Sequence, residues 1–208
     1  MNFTTYFSKQ ARKPTGLFGR FFMSQVFEKG NAEVNALVME TLSPKKDDHI
    51  LEIGFGTGIV LKQIADNLTG GVIEGVDFSK SMIKIAQKKN KKYINSGKVK
   101  IRTGDFDELS FPESRFDKIF TVNTIYFWKN PKATIAKISR LLKPGGKLIL
   151  GFNGKDEMSE MPLDGNIFAI YSHEEIIDLL TSDGSLKDVE IKSKKGKKYT
   201  SYCAVGTK

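Results

Sequence analysis

Thiol and imidazole groups are scarce in this chain. One cysteine, Cys203, and two histidines, His49 and His173, are all that its 208 residues provide. A lone cysteine excludes an intrachain disulfide and any Cys-cluster metal site. With no His/Cys cluster to bind one, no metal is expected. Long apolar runs are missing too, and none approaches the ~20 residues that span a bilayer. The opening stretch, MNFTTYFSKQARKP, lacks the apolar core and small-residue cleavage site of a secretory signal. A cytoplasmic location is therefore expected. The length suits a single α/β domain with a sizeable core.

Positive charge is in excess, with a net +9. Nucleic acid, anionic lipid and acidic small molecules are the partners such a balance suits. Most of the excess lies in two runs, Lys84 to Tyr93 and Lys192 to Tyr199. The first reads as the solvated face and end of a helix, the second as the tip of a hairpin. Charge runs of this kind are more often solvated surface than binding motif.

Strands and helices alternate along the middle of the chain. Leu17 to Glu28 has a helical apolar period, and Asn31 can cap a helix over Ala32 to Leu42 with Val34, Leu37, Val38 and Leu42 inward. Pro44 and the run KKDD break the chain. His49 to Ile53 reads as a buried strand, followed by a helix stripe of Val60, Leu61, Ile64, Ala65 and Leu68. Val72 to Val76 is the next strand, and Ser79 can cap the helix after it. Lys98 to Thr103 and Phe116 to Val122 are further strands. Asn130 and Pro131 make an N-cap and first turn for a helix through Leu142. Pro144-Gly145-Gly146 then leads into a strand over Lys147 to Phe152. Residues 153–170 have no clear period and read as a loop or lid. Ser172 and Glu175 form a capping box before Ile176, Ile177, Leu179 and Leu180. Two last strands, Val189 to Ser193 and Thr200 to Gly206, flank a basic turn and must be antiparallel to each other. The alternation predicts a parallel sheet with right-handed crossovers and helices on both faces.

The most informative segment is ILEIGFGTG, Ile50 to Gly58, where a buried strand meets a helix. Gly54, Gly56 and Gly58 allow a tight turn and close approach to a ligand, and the following helix offers free N–H groups. The spacing is G-x-G-x-G; a dinucleotide fingerprint needs a third glycine where this chain has Ile59. Glu52 precedes the loop. An acidic residue there suits a cationic sulfonium ligand with an amino-acid tail better than a pyrophosphate. Asp77 closes the second strand, at the sheet edge that faces the crevice, and can accept from both hydroxyls of a ribose. Asp105 closes the third strand and can accept from an adenine amino group, with Phe78 and Phe106 offering apolar faces to the ring. The plainer readings, a helix-flanking acid before Ser79 for Asp77 and an ordinary loop acid for Asp105, are the less favoured ones; Asp107 and Glu108 are expected to be ordinary loop acids.

LEIGFGTG, GVDFS, GDFDELSF, FDKIFTVNTIYFW and LLKPGGKLIL resemble the successive motifs of class I S-adenosylmethionine (SAM)-dependent methyltransferases, in particular the small-molecule group that includes the ubiquinone/menaquinone C-methyltransferases. The resemblance covers roughly Asp48 to Phe152. It implies a Rossmann-like seven-stranded sheet, mostly parallel with the last strand antiparallel, in the order 3-2-1-4-5-7-6. It also implies that Glu52, Gly54, Gly56 and Gly58 surround the methionine part of SAM. Phe55, Thr57, Phe78, Ser79, Met82 and Phe106 join this cofactor set, Asp77 holds the ribose and Asp105 the adenine. Asn123 would sit beside the sulfonium and amino-acid tail. The expected division is an N-terminal helical cap or lid (1–44), a SAM-binding core (45–152), and a substrate loop, helix and terminal hairpin (153–208), all in one domain.

Methyl transfer is an in-line displacement, so the chain's main task is alignment, which can contribute up to ~7–11 kcal/mol. Tyr126, Phe127 and Trp128 are expected to line the acceptor pocket, or else simply to pack the fourth strand on its helix. Tyr126 can hydrogen-bond an acceptor. His173 is expected to be a surface capping residue, His49 lies away from the crevice, and no catalytic base is assigned. Cys203 reads as a core residue, and NTIYFW lacks the prolines of the amine-methylating nucleobase enzymes. The expected acceptor is a small molecule, lipophilic or anionic. An RNA methyltransferase or a non-catalytic SAM- or nucleic-acid-binding protein is the alternative, and a basic, aromatic N-terminal helix with Arg12, Lys13 and Arg20 can lie on a membrane surface.

Overall fold

The computed structural model describes residues 2–16, 22–196 and 199–208. A seven-stranded sheet runs through it in the order β3-β2-β1-β4-β5-β7-β6. The strands are β1 (His49–Ile53), β2 (Val72–Asp77), β3 (Val99–Thr103), β4 (Phe116–Val122), β5 (Leu142–Asn153), β6 (Lys187–Lys195) and β7 (Thr200–Thr207). The first five pair in parallel, and β7 is antiparallel to both β5 and β6. Order and directions are those the family resemblance implies.

Alternation along the strands splits the core into two layers. Ile50, Ile73, Phe120, Ile149 and Cys203 point to one face, under α3 (Ala32–Leu42), α4 (Ile59–Asn67) and α5 (Lys80–Lys89). Leu51, Ile53, Ile119, Leu148 and Leu150 point to the other, under α7 (Pro131–Leu141) and α9 (His173–Thr181). Because β1 lies between β2 and β4, the chain winds outward from it in both directions. A crevice therefore opens at the carboxyl ends of β1 and β4, where such folds bind ligands.

Several elements differ from their sequence reading. The helix expected over Leu17 to Glu28 is α2 (Ser24–Gly30); residues 17–21, with Gly19 and Arg20, lie outside the described residues. An additional helix, α1 (Phe3–Arg12), precedes it, capped by the Asn2 side chain on the Thr5 amide at 2.8 Å. Within 153–170 a short helix, α8 (Lys155–Ser159), forms where a loop was expected. Leu142 leaves α7 and begins β5, opposite Phe116, before a register shift around Pro144-Gly145-Gly146. Ile177 is 37% exposed rather than inward, since α9 turns Ile176, Leu179 and Leu180 to the sheet. Lys192 to Lys195 belong to β6 itself and not to a hairpin tip; residues 197–198, also in that basic run, lie outside the described residues. The other run spans α5 and α6 (Lys91–Asn95), with Lys84, Lys88, Lys91 and Lys92 exposed as expected.

Candidate functional site

The crevice is built first by the turn leaving β1. Gly56 has φ +54° and a missing Cβ that would meet nothing within 4 Å, so its backbone faces open space. Gly58, with φ +70°, has a different role. A Cβ there would lie 2.7 Å from Ala86 Cβ and 2.8 Å from Asn90 Nδ2, so its absence lets the start of α4 close on α5.

Two acids converge behind this turn. Asp77, 9% exposed at the end of β2, accepts from the Gly56 amide at 2.9 Å and the Ser79 amide at 2.7 Å. Burial pushes its carboxyl up to about 6, against the opposing pull of those backbone N–H groups. Glu52 is 3% exposed, and its Oε2 has no hydrogen-bond partner among the described residues. Burial, and then the charge of Asp77, push Glu52 well above the usual carboxylate range. A buried, unpartnered carboxylate at a cavity wall is costly unless a donor or cation arrives to satisfy it.

A cavity of about 350 Å³ connects this edge to an apolar chamber. Every expected cofactor and acceptor residue lines it except Gly58 and Ser79. Gly58 is the packing glycine described above. Ser79 is buried: its Oγ caps the Met82 amide at 3.4 Å and donates to the Pro14 carbonyl at 2.8 Å. Asp105 lines the cavity and accepts from the Asp107 amide at 3.1 Å. Its loop is clamped by α7: Lys137 Nζ donates to the carbonyls of Phe106, Asp107 and Leu109 at 2.6, 3.0 and 2.6 Å, and Thr134 donates to the Asp107 carboxylate. Asp107 is thus tied into the structure, beyond the plain loop acid expected of it. Phe78 lies beneath the Lys13 ammonium, 5.6 Å from the ring centroid.

The chamber is floored by a polar relay. Tyr126, 3% exposed in the turn after β4, accepts from the Asn153 amide at 2.7 Å. Its hydroxyl lies 3.1 Å from both the Asn153 carbonyl and Asn123 Oδ1. Burial pushes the phenol above its ordinary range, so it stays protonated. Asn123, at φ +53°, donates through Nδ2 to Asn31 Oδ1 at 3.0 Å. Around this relay, Phe127, Met158, Met161, Leu163 and Phe168 supply apolar walls, with Phe127 and Phe168 in edge contact at 4.6 Å. Trp128 is half-buried, packing on the core while also lining the cavity.

The two histidines stand apart. His49 Nε2 lies 2.8 Å from Glu74, at the opposite ends of the strands. His173 is not a surface cap. Ser172 and Glu175 make the capping box, while the His173 ring packs 4.0 Å from Tyr202, its Nε2 buried without a partner. Cys203 is fully buried in β7, and burial raises its thiol to about 11. Among the described residues, no group of three or more His, Cys, Asp or Glu gathers as metal ligands would, and no helix is long and apolar enough to cross a membrane.

The N-terminal segment and residues 153–170, expected to cover the pocket, supply cavity residues that sequence reading did not single out as cavity-lining: Phe7, Arg12 and Pro14, then Asn153 at the end of β5 and Met158 and Phe168 after it; Asn31 and Asn35 on the cap were not foreseen there. The dense N-terminal aromatics were the one available signal. Asn31 reads as a helix cap, and it does stand at the start of α3, yet its side chain makes no capping bond.

A glycine turn at the switch point, acids closing β1, β2 and β3, and the 3-2-1-4-5-7-6 order define the Rossmann-like methyltransferase class. Residues 51–150 match the family model described as a methyltransferase domain. The uncharacterized methyltransferase YdaC of Bacillus subtilis is 28% identical over 178 residues, covering 86% of this chain and 93% of that protein. The matches to seven other curated relatives span between 38% and 66% of those proteins' lengths. Among solved structures, a putative methyltransferase of Haloferax volcanii, in complex with the Trm112 methyltransferase activator, superposes with a TM-score of 0.76 at 20% identity, covering 91% of this chain and 95% of that one. Phosphoethanolamine N-methyltransferase 2 of Haemonchus contortus, in complex with S-adenosyl-L-methionine, gives 0.69 at 19% identity over 85% of this chain and 52% of that one. The chain belongs to the class I SAM-dependent methyltransferases, whose cofactor is S-adenosylmethionine.

Proposed function

We propose that this chain transfers the methyl group of SAM to a small organic acceptor held in the apolar chamber. The observation that carries the reading is the continuity of one cavity from Glu52, Gly56 and Asp77 to Phe127, Met158 and Phe168. The residues fit the cofactor. The orphaned Glu52 carboxylate suits an ammonium or sulfonium charge, Asp77 is aimed by two amides at hydroxyl donors, and the bare backbone of Gly56 leaves room for close approach. Asp105 and Phe78 serve the adenine end.

When bound, SAM supplies a methyl carbon already activated by its sulfonium. The protein's own residues then orient and shield. Phe127 and Phe168 hold the acceptor against the cofactor edge and keep water out, and an aromatic face near the sulfonium contributes ~0.5–2 kcal/mol. Tyr126 acts as a fixed hydrogen-bonding group, not a base, because burial keeps it protonated. Residues 1–16 act as a lid: α1 docks on the loop after α8 through Thr5 Oγ1 to Asp164 Oδ2 at 2.7 Å and the Asp164 amide to Ser8 Oγ at 3.0 Å.

The test is to incubate the protein with SAM labelled on the methyl carbon and with small-molecule, RNA and protein fractions of a lysate in separate arms. Label in the small-molecule arm is expected. Label confined to RNA, with binding that falls steeply as salt rises, overturns the small-molecule reading in favour of an RNA methyltransferase.

A further inference from the structure

Residues 1–27 contain no aspartate or glutamate; the first acid of the sequence is Glu28. The same stretch holds four basic residues, Lys9, Arg12, Lys13 and Arg20, and seven aromatic ones. Elsewhere in the chain the charges are mixed in sign, so this stretch alone is purely cationic and aromatic. Among the described residues, the two most exposed large apolar side chains also belong to it: Phe3 at 71% and Phe22 at 49%. A single exposed apolar side chain is ordinary on a soluble surface. Its coincidence with uncompensated positive charge is what selects an occupant.

The mounting of α1 fixes which side is outward. Thr5 and Ser8 are bonded to Asp164, and Phe7 and Ala11 line the cavity. The helical repeat puts Tyr6 and Lys9 on the opposite side. Lys13 follows at the C-cap, its ammonium over the Phe78 ring at the cavity rim, and Lys9, Arg12 and Lys13 are all exposed. Phe3 stacks on Phe7 with ring centroids 6.2 Å apart, yet most of its surface faces outward. Lysines beside an exposed ring suit a helix lying in a membrane interface, where the ring enters below the headgroups and the ammonium groups reach the phosphates. Single-stranded nucleic acid, the other polyanion, is bound in grooves with stacking platforms. The outer side of α1 is a convex helix face, which lies flat on a bilayer.

We propose that α1 docks on an anionic lipid bilayer, with Phe3 inserted among the headgroups and Lys9 and Lys13 beside the lipid phosphates. Phe7, Ala11 and Arg12 of the same helix line the cavity, so docking brings the apolar chamber to the lipid surface. The inference concerns where the protein works and is independent of which acceptor it methylates.

The test sediments the full chain with sucrose-loaded vesicles of phosphatidylcholine, with and without phosphatidylglycerol. Binding to the mixed vesicles is expected, falling as salt rises. Phosphatidylcholine alone should bind at least about tenfold more weakly. Combining Phe3→Ser, Lys9→Gln and Lys13→Gln should weaken binding to the mixed vesicles by at least about tenfold. The melting temperature by circular dichroism should stay within a few degrees, since all three side chains are exposed. Phe3→Trp, which keeps an aromatic ring, reports depth: its fluorescence should shift to the blue on vesicles and be quenched by spin-labelled lipid, beyond any change of Trp128 in the unsubstituted protein. No binding to the mixed vesicles, binding that the triple variant retains, or a Phe3→Trp signal that vesicles leave unchanged overturns the proposal. Binding of poly(U) RNA without binding of vesicles overturns it in favour of a nucleic-acid contact. None of these readouts requires turnover, so they stand apart from the success or failure of the small-molecule reading.

Discussion

Ser79 Oγ donates to the carbonyl of Pro14 at 2.8 Å, a bond between residues 65 positions apart. The same hydroxyl caps α5, and the Ser79 amide holds Asp77. The N-terminal segment is thus anchored beside the acid expected to hold the ribose, and also, through Thr5 and Ser8, to Asp164 on the acceptor side. The segment reaches over both halves of the cavity.

Deleting residues 1–16 should leave a folded protein, because every strand and all the buried apolar residues of the two core layers lie beyond them, Ala11 only packing against one layer's edge. Affinity for SAM should stay within about tenfold, but the dissociation rate of S-adenosylhomocysteine should rise and turnover should be lost as water enters. Stopped-flow dissociation and labelled-methyl transfer check this. A truncated protein that methylates as well as the full chain would show that the segment is no lid.

Asp77→Ala should weaken SAM binding by ~1–3 kcal/mol, the value of hydrogen bonds lost from ribose hydroxyls. Calorimetry on the folded variant decides it, and unchanged affinity would sink the assignment.

Glu52→Gln should stabilise the ligand-free protein at pH 7 while weakening SAM. Burial raises the folded Glu52 carboxyl, so the unfolded chain ionises first and stability falls as pH rises above the usual carboxylate range. Asp77 works in the same direction between its ordinary 3.8 and about 6, at a cost of about 3 kcal/mol over that window. A neutral amide removes the Glu52 share, and Tm should rise by a few degrees, the shift that ~1 kcal/mol produces in a domain of this size. Cofactor binding near pH 6 should release protons, seen as a calorimetric enthalpy that changes with the buffer's ionisation heat. A buffer-independent enthalpy would mean that the acids are already ionised.

Glu74 gives the opposite pH dependence at the far ends of the strands. Burial raises its carboxyl, but hydrogen bonds from His49 and Arg115 outweigh that and hold it at about 2. A lowered folded value contributes stability that is present above the ordinary 4.5 and is lost as pH falls toward 2. Glu74→Gln should therefore lower stability by about 2–3 kcal/mol at pH 7 and flatten the acid limb of the denaturation profile. Urea melts at pH 7 and pH 3 test it; parallel losses at both would point to packing instead.

Much of the fold is legible in the chain's local chemistry. Buried apolar strands such as Ile50 to Ile53, helix stripes such as Val60, Leu61, Ile64 and Ala65, and the caps at Ser79, Asn130 and Ser172 are set by periodicity and by side chains bonding their own neighbours. The glycine turn and its partner acids are legible for the same reason, since each sits at a fixed step from a strand end. Tertiary structure alone decided what depends on distant segments meeting. Gly58 proved to be a packing glycine because α5 brings Ala86 and Asn90 against it. His173 is ringed by Phe152 and Tyr202, and Asn31 gives up its cap for Asn123, 92 positions away. Periodicity reports which face of an element is buried, but not what lies across from it, and a polar side chain chooses its hydrogen-bond partner only once the sheet has placed the candidates within reach.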